Sequence, residues 1–297
     1  LIGVEKEEKA SEQGYVVKAV KRGLTKSPGD MVITTDTVWK DEEKVIDGNL
    51  IIQANLTVIN STIKMALTYD GEYHIEIQEG GTLILKDSVI TSNDSVYRYY
   101  LTQEYNSSLI IHNSQILHCG WDVENEQGLY LQGNFTIDGL IMEPVYMAIH
   151  VTENASGTIK NVTLKDGLLG IKIEGMNNTI LEEINGENLT YGLLLLKELD
   201  NATVMDVNAV DVGYVIKLEN VSNTLVKNVF AEQIESVGIK VTGDGQHGYN
   251  ITISNVTIKD ANASVEIKSC NLVTLENCYI ENSTTNAVII WSSAHNI

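Results

Sequence analysis

Two prolines, two phenylalanines, three cysteines and two arginines (Arg22 and Arg98) are all that 297 residues hold of those four types. Cys119, Cys270 and Cys278 are an odd number, and the last two lie along one extended stretch. No disulfide framework is expected from them, and they read as small buried hydrophobes. There is no C-x-x-C and no His–Cys cluster, which argues against a transition-metal site. With so little arginine and a net charge of −20, the chain has no basic groove. Coulomb repulsion then disfavours nucleic acid and anionic membranes as partners. No apolar run approaches the ~20 residues of a membrane-spanning helix.

What the chain has in abundance is a repeat. A carboxamide or carboxylate recurs every 22 to 27 residues, at Asn60, Asp87, Asn113, Asp138, Asn161, Glu183, Asp206, Asn228, Asn255 and Asn277. In nine of these ten frames a branched aliphatic residue stands two positions earlier: Val58, Leu85, Ile111, Ile159, Leu181, Val204, Val226, Ile253 and Leu275. A second set of short alternating runs surrounds Ile149, Ile171, Leu194, Ile216, Ile239, Val265 and Val288. Alternation of period two marks strands with one buried face. Two or three such strands per repeat, stacked about 4.8 Å apart, predict an all-β solenoid of about ten coils, roughly 50 Å long. The ten polar positions are expected to form a structural ladder of side-chain hydrogen bonds along one bend. Asn60, Asn161 and Asn255 are expected to be buried in it.

The opening T-V-W-K-D-E-E-K-V-I-D-G-N-L-I-I-Q-A-N-L-T-V-I-N and the repeats that follow resemble the right-handed single-stranded parallel β-helix family. That class includes pectinases, periplasmic accessory proteins and microbial, archaeal-type secreted surface glycoproteins. The resemblance spans residues 31–297 and implies a right-handed helix. It says almost nothing about activity.

Residues 1–45 hold Lys-Glu alternation and one proline, and are expected to be an N-terminal cap or assembly arm, with the β-helix over 46–297. The chain begins with Leu1 rather than Met, which suggests a processed or trimmed start. At the other end it stops just after A-V-I-I-W with no polar cap, so the apolar edge over 287–291 calls for a cover. A head-to-tail neighbour, contributing its first residues up to roughly Trp39, would make a homopolymer, that is, a filament or surface layer.

Fifteen N-x-S/T sequons occur. Setting aside the three ladder members, twelve remain as candidate glycan acceptors on bends: Asn55, Asn93, Asn106, Asn134, Asn154, Asn177, Asn188, Asn201, Asn220, Asn250, Asn262 and Asn282. The aligned strand rows, His150, Lys172, Leu195, Lys217, Lys240, Glu266 and Ile289 beside Ala148, Gly170, Leu193, Val215, Gly238, Ser264 and Ala287, offer a single carboxylate. Glycoside hydrolysis normally needs a pair. The lysines of that row could meet an acidic polymer. The segment G-D-G-Q-H-G leaves Asp244 and His247 as the only catalytic candidates. The aromatics look scattered apart from Tyr97, Tyr99, Tyr100 and Tyr105. Acidic runs at 41–43 and at Asp122, Glu124 and Glu126 could hold Ca²⁺ at subunit contacts. The balance of these features points to a non-enzymatic extracellular structural glycoprotein carrying N-linked glycans, without membrane insertion. The alternative is a polysaccharide-binding or polysaccharide-degrading β-helix protein.

Overall fold

In the computed structural model, which describes residues 25–244 and 248–291, the chain winds into a right-handed parallel β-solenoid of about eleven turns. The described residues form twenty-one strands, paired in parallel throughout, and contain no helix. Stacking at fixed register puts like above like. One inward column runs Val58, Leu85, Ile111, Ile137, Ile159, Leu181, Val204, Val226 and Ile253, all buried, and ends at the partly buried Leu275. A second runs Leu101, Leu129, Ile149, Ile171, Leu194, Ile216, Ile239 and Val265. Each fully buried Leu or Ile contributes about 1.5–3 kcal/mol relative to exposure. The all-β parallel solenoid expected from the repeat is the fold observed.

The repeat's polar position is a corner, and not the buried ladder expected. Asn60, Asp87, Asn113, Asn161, Glu183, Asp206, Asn228, Asn255 and Asn277 all have positive φ between 45° and 57°, and all are exposed. Left-handed backbone turns the chain sharply between two strands, and Asn and Asp tolerate it better than other residues with a Cβ. Hydrogen bonds still link some neighbours, such as Asn60 Nδ2 to Asp41 Oδ1 at 2.7 Å and Asn228 Nδ2 to Asp206 Oδ1 at 2.8 Å. They lie on the surface. Asp138 is corrected by one residue. Ile137 stacks between Ile111 and Ile159, so the corner falls on Gly139, φ +82°. That explains why the frame of Asp138 lacked its aliphatic residue. Inside the same corner the first coils hide a true ladder that the repeat did not reveal. Ser61 N donates to Ser88 Oγ and Ser88 N to Ser114 Oγ, both at 3.2 Å. From Leu140 onward the position is apolar.

At the N-terminal end the solenoid starts earlier than residue 46. The strands Thr25–Pro28, Met31–Ile33 and Thr37–Lys40 already pair with the next coil, and Trp39 is buried in the core. Trp39 therefore belongs to the first coil rather than to an arm. Residues 1–24, the rest of the expected cap, lie outside the described residues. At the other end Asn286–Ile290 pairs with Tyr249–Lys268, and Val288, Ile290 and Trp291 are exposed.

Glu183 is the one corner residue that is neither amide nor Asp among the nine. Replacing Glu183 by Asn should ease the left-handed backbone and stabilise the protein by about 1 kcal/mol. A thermal midpoint that stays level or falls would contradict the strain reading.

Candidate functional site

The outer face of one sheet departs from the regular repeat. Register shifts occur between Gly167 and Leu169, Leu189 and Leu194, Val212 and Tyr214, and Ile234 and Val237. All four lie where the chain enters the same strand row. Bulges of this kind re-aim side chains. Here they turn Leu193, Val215 and Ser264 into the core, although the alternation predicts them outward, and Ala148, in a pairing without a slip, is buried too. Other side chains of these strand starts are buried away from the core instead. Met147, Leu169 and Tyr214, together with Leu195, form a second apolar cluster separate from the core, with Tyr146 packed on it. Gly192 makes room for it: a Cβ there would stand 2.5 Å from the Tyr214 ring. Gln127, Lys172 and Tyr191 join this cluster around an open recess of about 330 Å³.

Beside the recess runs the middle column Tyr130, His150, Lys172, Leu195, Lys217, Lys240, Glu266 and Ile289. One step further along the strands lie Glu174, Lys197 and Glu219. The two columns are cross-linked. Glu174 takes His150 Nε2 at 2.9 Å, Lys172 Nζ at 2.7 Å and Lys197 Nζ at 3.6 Å. Lys217 pairs with Glu219 at 2.6 Å and Lys240 with Glu266 at 3.2 Å. Every lysine of the expected cationic row thus has a carboxylate partner, and the face is close to neutral.

Rings gather here as well. His74 stacks on Tyr100 with centroids 5.0 Å apart, Tyr130 meets His150 edge-on at 5.2 Å, and Tyr191 meets Tyr214 edge-on at 4.9 Å. Tyrosines far apart in the sequence are brought onto one face by the coil. The tyrosine cluster seen in the sequence disperses: Tyr99 is in the core, Tyr100 lies on His74 and Tyr105 is exposed.

Burial lowers the His150 pKa, with help from Lys172 and against the hydrogen bond to Glu174. Burial pushes Glu174 upward, yet the hydrogen bonds from Lys172 and His150 outweigh it and hold the carboxyl below its ordinary value. The downward shift favours the neutral imidazole, and in that form Nε2–H donates to the Glu174 carboxylate while Nδ1 keeps the lone pair. That is a base held in one tautomer. Lys217 is pulled down by burial and raised more strongly by Glu219, with a net upward shift.

Of the two catalytic candidates from the sequence, Asp244 is exposed, and residues 245–247, with His247, lie outside the described residues. Among the acidic runs weighed for Ca²⁺, Asp122 accepts from Tyr146 Oη at 2.6 Å and Glu126 from Trp121 Nε1 at 2.8 Å. Among the described residues no group of three His, Cys, Asp or Glu is arranged to hold a metal. Cys119 and Cys270 are buried and Cys278 is half-buried, all with free thiols.

The profile of the right-handed β-helix region matches residues 147–297, which contain most of this face. The chain belongs to the right-handed β-helix family. No curated protein matches it. Among solved structures, this β-helix protein is similar to the A-module of the mannuronan C-5 epimerase AlgE6 of Azotobacter vinelandii. The identity is 10%, the TM-score 0.52, and the match covers 90% of this chain and 89% of that one. It is also similar to endopolygalacturonase I of Stereum purpureum (13% identity, TM-score 0.45, 90% and 94% covered). A third is the surface protein and adhesin PfbA of Streptococcus pneumoniae (8% identity, TM-score 0.43, 85% and 90% covered). At such identities the likeness is one of fold.

The expectation of a non-enzymatic chain is corrected. The AlgE6 A-module, a β-helix of the same fold, belongs to an epimerase, so the fold gives no ground for excluding catalysis. The physical ground for exclusion fails too. Reading only the middle column hid Glu174 and Glu219, which share the outward face because they stand two residues after Lys172 and Lys217. The recurrent K-x-E at 172–174 and 217–219 was the available signal.

Replacing Glu174 by Gln removes the group that raises His150, so the imidazole should titrate at still lower pH. Replacing Lys172 by Met should move it the other way. Ring-proton NMR titration reads both, and shifts of the same sign would refute the coupling. A lowered folded-state pKa also makes this site's contribution to stability present above the ordinary histidine range and lost as pH falls through it.

Proposed function

We propose that this protein is an extracellular or cell-surface β-helix that binds a polysaccharide along the outer face of the sheet carrying His150 and catalyses proton-transfer chemistry on it. The observation that carries the reading is the His150–Glu174–Lys172 constellation, set between an aromatic-lined recess and an open strand face. Sugars present apolar C–H faces and polar rims. Exposed Tyr191 with Tyr214, and Tyr130 with His150, match the first; the paired Lys and Glu residues match the second. An elongated face lined coil by coil suits a chain of repeating units better than a compact ligand. Because its charges are paired, the face selects through hydrogen bonds rather than through net positive potential, which fits a protein of net charge −20.

In this reading His150 Nδ1 takes a proton from a substrate carbon or hydroxyl, Glu174 stabilises the imidazolium that forms, and Lys172 and Lys197 offset developing negative charge. General acid–base catalysis of this kind contributes about 10²–10⁴-fold to rate. A panel of polysaccharides tested for binding and for product formation decides the matter. With the polymer that responds, His150→Ala should lower turnover by about that factor while leaving binding within a few-fold. Tyr191→Ala should weaken binding. Failure of every polysaccharide to bind, or binding indifferent to Tyr191, Tyr130 and Lys172, would reject the proposal.

A further inference from the structure

The sequons occupy defined places relative to the groove, the recess and strand face around His150. One set, including Asn134, Asn154, Asn177, Asn201, Asn220 and Asn250, lies on the bend that follows the groove strands. The other, Asn93, Asn188, Asn262 and Asn282, lies on the bend that precedes them. Of the twelve candidate asparagines, Asn220 is half-buried and the rest are exposed. The three set aside, Asn60, Asn161 and Asn255, are exposed as well, so the reason for discounting them is gone.

We propose that both rims of the groove carry N-linked glycans, attached before the coils close. Three features of the geometry support it. The first is that the rims already run as amide ladders which use only one of the two N–H donors of each carboxamide. Asn201 Nδ2 donates to Asn178 Oδ1 at 2.6 Å, Asn250 Nδ2 to Asn223 Oδ1 at 2.7 Å, Asn188 Nδ2 to Asp166 Oδ1 at 2.8 Å and Asn282 Nδ2 to Asp260 Oδ1 at 3.0 Å. A glycosylated amide keeps one N–H. The ladder and the sugar therefore coexist on the same nitrogen.

The second feature is that these corners have positive φ, at Asn188, Asn201, Asn220, Asn250 and Asn282. Left-handed turns explain Asn there and give no reason for a hydroxyl two residues on. The third concerns that hydroxyl. Thr179, Ser222 and Ser264, which complete the sequons of Asn177, Asn220 and Asn262, are buried, whereas Ser95, Thr136, Ser156, Thr190 and Thr284 are exposed. A transferase that must hold the hydroxyl reaches the first group only on an unfolded chain.

The co-reactant is a lipid-diphosphate-linked oligosaccharide. Asn Nδ2 attacks the anomeric carbon, a C–N bond forms, and the C–O bond to the diphosphate breaks with its electron pair leaving on that oxygen. One amide proton passes to a base of the transferase.

The test is the full chain secreted through a glycosylating pathway, digested and mapped after amidase release in isotope-labelled water. Sugar is expected on both rims, Asn177, Asn220 and Asn262 included. Ser156→Ala should lose one glycan, that of Asn154, and nothing else. In a second arm, unglycosylated folded protein is given transferase and donor; Asn93, Asn134, Asn154, Asn188 and Asn282 should react while Asn177, Asn220 and Asn262 stay bare. Rims unmodified in secreted protein, beside a modified control sequon on a fused tag, would overturn the proposal. So would sugar confined to the five sites with exposed hydroxyls, or modification of Asn177 in the folded chain.

Discussion

Parallel backbone pairing at fixed register, coil upon coil, is the constraint on which the rest of this molecule depends. Because residue stacks on residue, any choice made in one coil is imposed on its neighbours. An aliphatic residue facing inward needs another above and below it, and a left-handed corner needs a corner. The chain solves the second problem with Asn, Asp and Gly at every principal corner but one. It tolerates periods from 22 to 27 because extra residues leave as loops while strands stay in register. Stability then grows along one axis, coil by coil, rather than around a centre.

That same constraint governs charge. On a flat stack of strands about 4.8 Å apart, equal charges in one column repel. The protein answers by offsetting them: lysines at 172, 217 and 240 meet glutamates at 174, 219 and 266. Glu174, with three cationic or donor partners, is the centre of the densest such arrangement. The large acidic excess of the chain is therefore carried elsewhere, and the groove is a near-neutral strip on an anionic rod.

The core was legible in the sequence because inward residues obey a strict rule, aliphatic at fixed spacing from a polar corner. Val204 and Ile253 could be placed without any structure. The corner was read in part: ladder bonds do run from Asp206 through Asn228 and Asn255 to Asn277, but on the surface, and the left-handed backbone angle that Asn also serves was missed. Asp138 shows how a one-residue slip hides in a pattern when the true corner is glycine. The site was harder still. His150 and Glu174 lie in different coils, and their meeting depends on register. Tyr191 reaches the surface, and Tyr214 the layer beneath it, through bulges that no period-two rule foresees.

Those bulges also say where to look for chemistry in a solenoid. Where the repeat is perfect, the surface is a lattice of interchangeable columns and nothing distinguishes one coil from the next. Between residues 167 and 237 the register slips in four successive pairings, always at the same edge of the same sheet. Each slip gives up ladder hydrogen bonds that a regular strand would keep, a loss of about 1 kcal/mol apiece. In return, an apolar cluster stands outside the core and a histidine rests against a carboxylate at its lip. A fold whose stability comes from repetition can hold a specific site only by breaking the repetition, and among the described residues the register breaks along one edge.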